Sequence, residues 1–137
     1  MQKYTHVIFS ILLFLMFNFI FHFPLYLSVF AFIGAMTPDL DLRPKKYHRK
    51  LFHNLWFLML ILFVGFSVGI IDRTFAIVFS IGFLSHLLID GVTPMGIMPF
   101  WPFEKPKIKG PIKTGGWGEF VIMILLLLVI FWIARYF

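Results

Sequence analysis

The chain has 137 residues, of which 61% are hydrophobic, 20% aromatic and only 13% charged. Soluble domains carry about 25% charged residues, and a core of this size cannot bury so many uninterrupted apolar faces, so water is excluded as the main solvent. The absence of cysteine excludes a disulfide framework and any thiolate-held zinc or iron–sulfur centre, while a formal net charge of +6 suits either nucleic acid or the Lys/Arg excess of cytoplasmic membrane loops.

Five apolar runs follow in order: Val7 to Phe23, Leu25 to Met36, Leu55 to Ile71, Phe75 to Ile89 and Phe120 to Tyr136. They predict an all-α, polytopic membrane bundle of four or five transmembrane helices in a single domain over residues 1–137. Lys3 ahead of the first run resembles the start of a secretory signal. The run is long, however, and no small-x-small cleavage site closes it, so a retained anchor is expected. Pro24 separates the first two runs with almost no loop, and Ile71-Asp72-Arg73-Thr74 is an equally tight turn between the third and fourth. Gly65 and Gly69 form a GxxxG pattern in the third run, which predicts close helix packing.

The basic residues set the orientation. With the N-terminus in the cytoplasm, Lys3, Arg43, Lys45, Lys46, Arg49, Lys50, Lys105, Lys107, Lys109 and Lys113 fall inside, and only Arg73 and Arg135 fall outside. This positive-inside asymmetry accounts for the basic charge without nucleic acid and predicts a multi-pass protein of the inner or plasma membrane.

In that orientation His6, Asp39, Asp41, His48, His53, His86, Asp90, Glu104 and Glu119 gather on the cytoplasmic side, with only His22 and Asp72 opposite. Dehydrating ionisable groups is expensive, so convergence from separate spans asks for a reason, and metal coordination is the simplest. His86 and Asp90 are four apart and project about 40° apart from one helix face. After Pro38, which disfavours helical continuation from Thr37, Asp39 and Asp41 in an extended segment point the same way. His48 and His53 would be splayed by about 140° on one helix, so His48 is expected in the basic loop and His53 on the first turn of the third span. His6 opens the first helix and can face the same cluster. The fourth run, 15 residues from Phe75 to Ile89, covers about 22 Å against a hydrocarbon core of about 30 Å, which draws His86 and Asp90 toward the inner headgroups.

Seven candidates, His6, Asp39, Asp41, His48, His53, His86 and Asp90, exceed the four ligands of one tetrahedral zinc, so either one or two ions are held with the remainder in support. Imidazole with carboxylate suits Zn2+ first, with Mn2+ or Fe2+ next. Plainer readings stand beside this one: Asp41 pairing with Arg43, Glu104 with Lys105, Asp90 capping a helix end, and the charge run from Arg43 to Lys50 anchoring at the lipid surface.

Thr5-His6, Pro38-Asp39-Leu40-Asp41, His48-Arg49-x-x-x-His53, Ser85-His86-Leu87-Leu88-Ile89-Asp90, Thr93-Pro94-x-Gly96 and Trp101-Pro102 occur in an order that resembles the LexA-binding, inner-membrane-associated metal-dependent hydrolases. The resemblance runs from His6 to Pro102 and on to the Gly-Gly-x-Gly-Glu stretch ending at Glu119. It implies a membrane-bound, zinc-dependent, phospholipase-like hydrolase acting on a lipid or small ester. The chain departs from the commoner His-Arg-Gly-x-Thr-His-Ser form by carrying Lys50, Phe52 and Asn54 at the Gly, Thr and Ser positions, and an association with LexA does not carry over from these residues. The expected chemistry is a metal-activated water, with Glu119 as general base or extra ligand and Arg49 steadying a phosphate through a bidentate contact. A metal-ion transporter or a non-catalytic metal-binding protein is the alternative, and a scaffold whose basic loops bind anionic lipid or a protein partner is the third.

Overall fold

The structure, a computed structural model, describes residues 1–40, 50–103 and 105–136. Among the described residues five α-helices follow in order: α1 (Lys3–Phe21), α2 (Ser28–Met36), α3 (Leu55–Ser67), α4 (Arg73–Gly91) and α5 (Trp117–Ile133), with 3-10 turns at Leu25–Leu27, Thr37–Leu40 and Ala134–Tyr136. Three segments, Lys3–Phe21, Arg73–Gly91 and Trp117–Tyr136, are long and apolar enough to cross a membrane, and Leu25–Leu40 and Leu55–Ser67 are shorter apolar stretches. The result is the expected helical membrane bundle.

Local chemistry sets the helix ends. His22 closes α1 in the left-handed conformation at φ 51°, its N–H donating to the Asn18 carbonyl. Asp72 starts α4 by accepting the Phe75 N–H at 2.8 Å, and Asn54 starts α3 by accepting that of Phe57 at 2.8 Å, as N-cap side chains do. α4 has 19 residues, about 28 Å at 1.5 Å per residue. It is longer than its apolar run because Arg73 and Thr74 precede that run, and Asp90 and Gly91 follow it, within the same helix.

The helix α4 is the axis of the fold: 61% of its apolar window is buried, against 33% for α1 and 6% for the last segment. It packs principally against α2 and α1, while α5 packs against α1 and α3 touches α4 more lightly. Phe14, Leu27, Ala31 and Val78 form one apolar core, and Leu58, Phe83, Leu87 and Ile97 a second. The many exposed apolar side chains of α5, from Phe120 to Trp132, suit a lipid solvent, which costs them nothing.

The closest helix contact is not where the GxxxG pattern predicts. Gly65 faces Ile71 of its own connection, and a Cβ on Gly69 would meet nothing within 4 Å. Gly34 and Gly82 instead bring α2 and α4 backbone to backbone: a Cβ on Gly82 would lie 2.7 Å from the Ala31 carbonyl carbon, and one on Gly34 3.0 Å from the Phe83 nitrogen. The expected extended segment after Thr37 is also corrected. Thr37 keeps helical angles, its hydroxyl donates to the Ile33 carbonyl at 2.7 Å, and Thr37–Leu40 is a 3-10 turn, in which the missing N–H of Pro38 is tolerated near the turn's start.

Candidate metal centre

The pocket lies where α4 ends, α1 begins and α2 runs out. His86 is fully buried on α4, with Asp90 one turn later. His86 Nε2 is 3.7 Å from Asp90 Oδ2, which confirms the shared face inferred from their spacing. Its other nitrogen, Nδ1, lies 2.7 Å from the Ala35 carbonyl. A carbonyl only accepts, so the neutral ring carries its proton on Nδ1 and turns the Nε2 lone pair into the pocket. The Gly34–Gly82 approach makes this contact possible, and Pro38 helps because it has no N–H to offer the carbonyl three residues before it.

The imidazole of His53 enters from the turn ahead of α3, not from the first turn of the helix as expected. That turn is pinned by Asn54, whose amide donates to the Lys50 and Leu51 carbonyls at 2.7 and 2.8 Å, and by the Leu55 N–H donating to the Pro99 carbonyl at 2.8 Å. Asn and Ser are both strong N-cap residues, so the departure at position 54 keeps the cap. His53 Nε2 lies 3.1 Å from His86 Nε2, 3.6 Å from Asp90 Oδ2 and 3.8 Å from Asp39 Oδ1.

Asp39 is supplied by the 3-10 turn after α2; its Oδ1 is 3.7 Å from His86 Nε2, and 21% of its side chain is exposed where the imidazoles are closed off. His6, on the first turn of α1, stacks on His86 with ring centroids 3.8 Å apart and holds Nε2 3.4 Å from Asp90 Oδ1. The same Asp90 oxygen is 2.6 Å from the Met1 α-ammonium. His6 Nδ1 is buried with no hydrogen-bond partner among the described residues. Behind Asp90, the Thr93 hydroxyl donates to its carbonyl at 2.7 Å, and the chain folds back through the antiparallel Ile97–Ile108 bridge.

Five of the seven sequence candidates therefore meet. Among the described residues two overlapping triads, His6–Asp39–His86 and His53–His86–Asp90, each offer ligand atoms within 4.8 Å of one another and could hold a metal ion. Asp41, His48 and Arg49, like Glu104, lie outside the described residues. Glu119 is buried at the start of α5 but belongs to neither triad. Its Oε1 accepts the Gln2 N–H and the Thr5 hydroxyl, both at 2.7 Å, and its Oε2 accepts the Gly115 N–H at 2.6 Å.

Sequence reasoning did not find the Ala35 carbonyl or the glycine contact behind it. The available signal was the stripe of small residues Ala31, Gly34 and Ala35, spaced three and four apart and all buried.

The profile of the YdjM inner membrane protein family matches residues 1–137, the whole chain. The chain belongs to the YdjM inner membrane protein family. It is also similar to the uncharacterized protein YvsG of Bacillus subtilis (strain 168), with 25% identity over 118 residues that cover 73% of this chain and 72% of the relative. No solved structure matches. Membership of the YdjM family and the apolar helices agree that the protein resides in a membrane.

Proposed function

We propose that this YdjM-family protein is a multi-pass inner-membrane hydrolase, N-terminus inward and pocket facing the cytoplasm, that uses a divalent cation to cleave an ester reached from the membrane, such as a phospholipid phosphodiester or acyl ester. The observation that carries the proposal is the buried convergence of His6, His53 and His86 with Asp39 and Asp90, in which the Ala35 carbonyl turns the His86 lone pair inward. Zinc bonds of about 2.0–2.2 Å require tetrahedral ligand atoms about 3.3–3.6 Å apart. His53 Nε2 and His86 Nε2 are 3.1 Å apart, and each is 3.6–3.8 Å from Asp39 Oδ1 and Asp90 Oδ2, so a small adjustment accommodates Zn2+. Mn2+ or Fe2+ is the next fit for this donor set.

When bound, the ion supplies Lewis acidity, bringing water ionisation toward neutral pH and polarising the ester. The protein residues do the holding. The backbone carbonyl of Ala35 fixes the His86 tautomer, as outer partners of ligating histidines do. Asp90 presents one oxygen to His53 and His86 and the other to His6, so a second ion on the His6 side would share that carboxylate. Asp39, the most exposed member, marks the side from which substrate enters, and Arg49 is assigned to steady a phosphate. The basic residues of the cytoplasmic loops suit an anionic lipid surface.

A specific observation keeps metal-ion transport as the second reading: Ser10 and Asn18 are buried along α1 beyond His6, and Asn18 Oδ1 has no hydrogen-bond partner among the described residues. The purified protein, with and without chelator, is to be assayed on a panel of phospholipids and small esters, and for Zn2+ flux in proteoliposomes. Chelator-sensitive turnover is expected. Stoichiometric metal without turnover, or flux in its place, would end the hydrolase reading.

A further inference from the structure

We infer that Glu119 is a positioning residue for His6, acting through the first turn of α1 rather than as the general base or extra ligand its sequence position suggests. This rests on the metal reading of the pocket. The helix α1 has no side-chain N-cap, so the donors of its first turn need partners from elsewhere. Glu119 Oε1, more than a hundred residues away in sequence, supplies them by accepting from Gln2 N–H and from the Thr5 hydroxyl, the two ends of that turn. Its Oε2 is anchored by the Gly115 N–H, where the chain turns at φ +74°. One carboxylate therefore fixes the α1 start to the α5 start, one residue before His6.

His6 needs such a device. His86 is oriented by a carbonyl on its second nitrogen, but His6 Nδ1 has no hydrogen-bond partner among the described residues. Its ring is placed by the stack on His86 and by the backbone that carries it. A buried carboxylate is expensive to desolvate unless its acceptors are filled, and here the filling groups belong to the segment that aims His6.

The test uses the full chain in nanodiscs with Co2+ alone as the probe, read by its visible ligand-field spectrum and by affinity. Glu119→Gln is close to isosteric, yet in either amide orientation it sets an NH2 against the Gln2 or the Gly115 N–H. Thr5→Val removes only the hydroxyl and serves if Glu119→Gln does not fold. Each is expected to weaken Co2+ binding roughly 10–100-fold, the range for supporting groups around a metal, and to shift the spectrum toward that of His6→Ala. In a His6→Ala background neither is expected to weaken binding further. A wild-type spectrum and affinity in Glu119→Gln, a lowered unfolding midpoint with an unmoved spectrum, or losses that multiply with His6→Ala would each overturn the inference. Absence of stoichiometric Co2+ from the wild-type protein would defeat the metal reading itself, and the inference with it.

Discussion

Replacing Gly82 with alanine tests the contact on which the pocket is built. The added Cβ would overlap the Ala31 carbonyl oxygen and stand 2.7 Å from its carbon, whereas carbon atoms rest about 3.5–4.0 Å apart, so α2 and α4 must separate by at least about 0.8 Å. His86 and Ala35 lie one turn further along the same two faces. The same displacement carries their 2.7 Å hydrogen bond to about 3.5 Å, past useful length. Overpacking of this kind costs about 1–3 kcal/mol, and a buried carbonyl left unsatisfied costs about 1–3 kcal/mol more. The better helix propensity of alanine returns about 1 kcal/mol, leaving a net loss of about 1–5 kcal/mol. Equilibrium unfolding in mixed detergent micelles, followed by circular dichroism, measures this against Gly118→Ala. There the new Cβ meets only Ile112 Cγ2, at 3.5 Å, and stability is expected to hold or rise slightly. A Gly82→Ala protein within about 0.5 kcal/mol of wild type would refute the claim that this backbone contact sets the helix spacing.

Other outcomes follow from the same geometry. Asn54→Asp keeps the cap on Phe57 but sets a carboxylate against the Lys50 and Leu51 carbonyls. It is expected to loosen the His53 turn and lower metal affinity at least 10-fold by isothermal titration, while Asn54→Ser, which retains a cap, does less damage. Asp90→Ala, which removes the carboxylate nearest His6, His53 and His86, is expected to leave purified protein with less than roughly a tenth of the wild-type metal by elemental analysis. Chelation of wild-type protein is expected to lower its unfolding midpoint, since a ligand at about 1,000 times its Kd contributes about 4 kcal/mol, without erasing helical circular dichroism. Asp72→Ala, which removes the cap on the exposed Phe75 N–H, is expected to cost about 1 kcal/mol and leave metal content unchanged.

The spans were legible because lipid imposes a long uninterrupted apolar run on any helix that crosses it, and the runs near Val7, Phe75 and Phe120 became α1, α4 and α5. The His86–Asp90 pair was legible for a related reason, since helix geometry alone puts residues four apart on one face. Contacts made by backbone atoms leave no such trace. The small residues Ala31, Gly34 and Ala35 mark a face of α2 that admits close approach, but no residue type on it says that the Ala35 carbonyl faces His86, and Gly34 and Gly82 each stand outside any GxxxG spacing. Pro38 misled because a proline early in a 3-10 turn breaks nothing. His53 was misplaced by two residues because the side chain that ends the turn, Asn54, reads equally well as loop or cap. The bonds that Glu119 accepts from Gln2 and Thr5 were not legible because those partners lie more than a hundred residues away in the sequence.

That last arrangement bears on the order in which a ribosome delivers the protein. His6 emerges first and Asp39, His53, His86 and Asp90 follow in turn, but the carboxylate that fixes the start of α1 arrives only with the final span. Under the metal reading proposed above, the candidate donors are all present some thirty residues before Glu119, so the firmest binding is expected only once the α5 segment has been made. A truncated product lacking α5 is then expected to carry the candidate ligands and bind the ion more weakly.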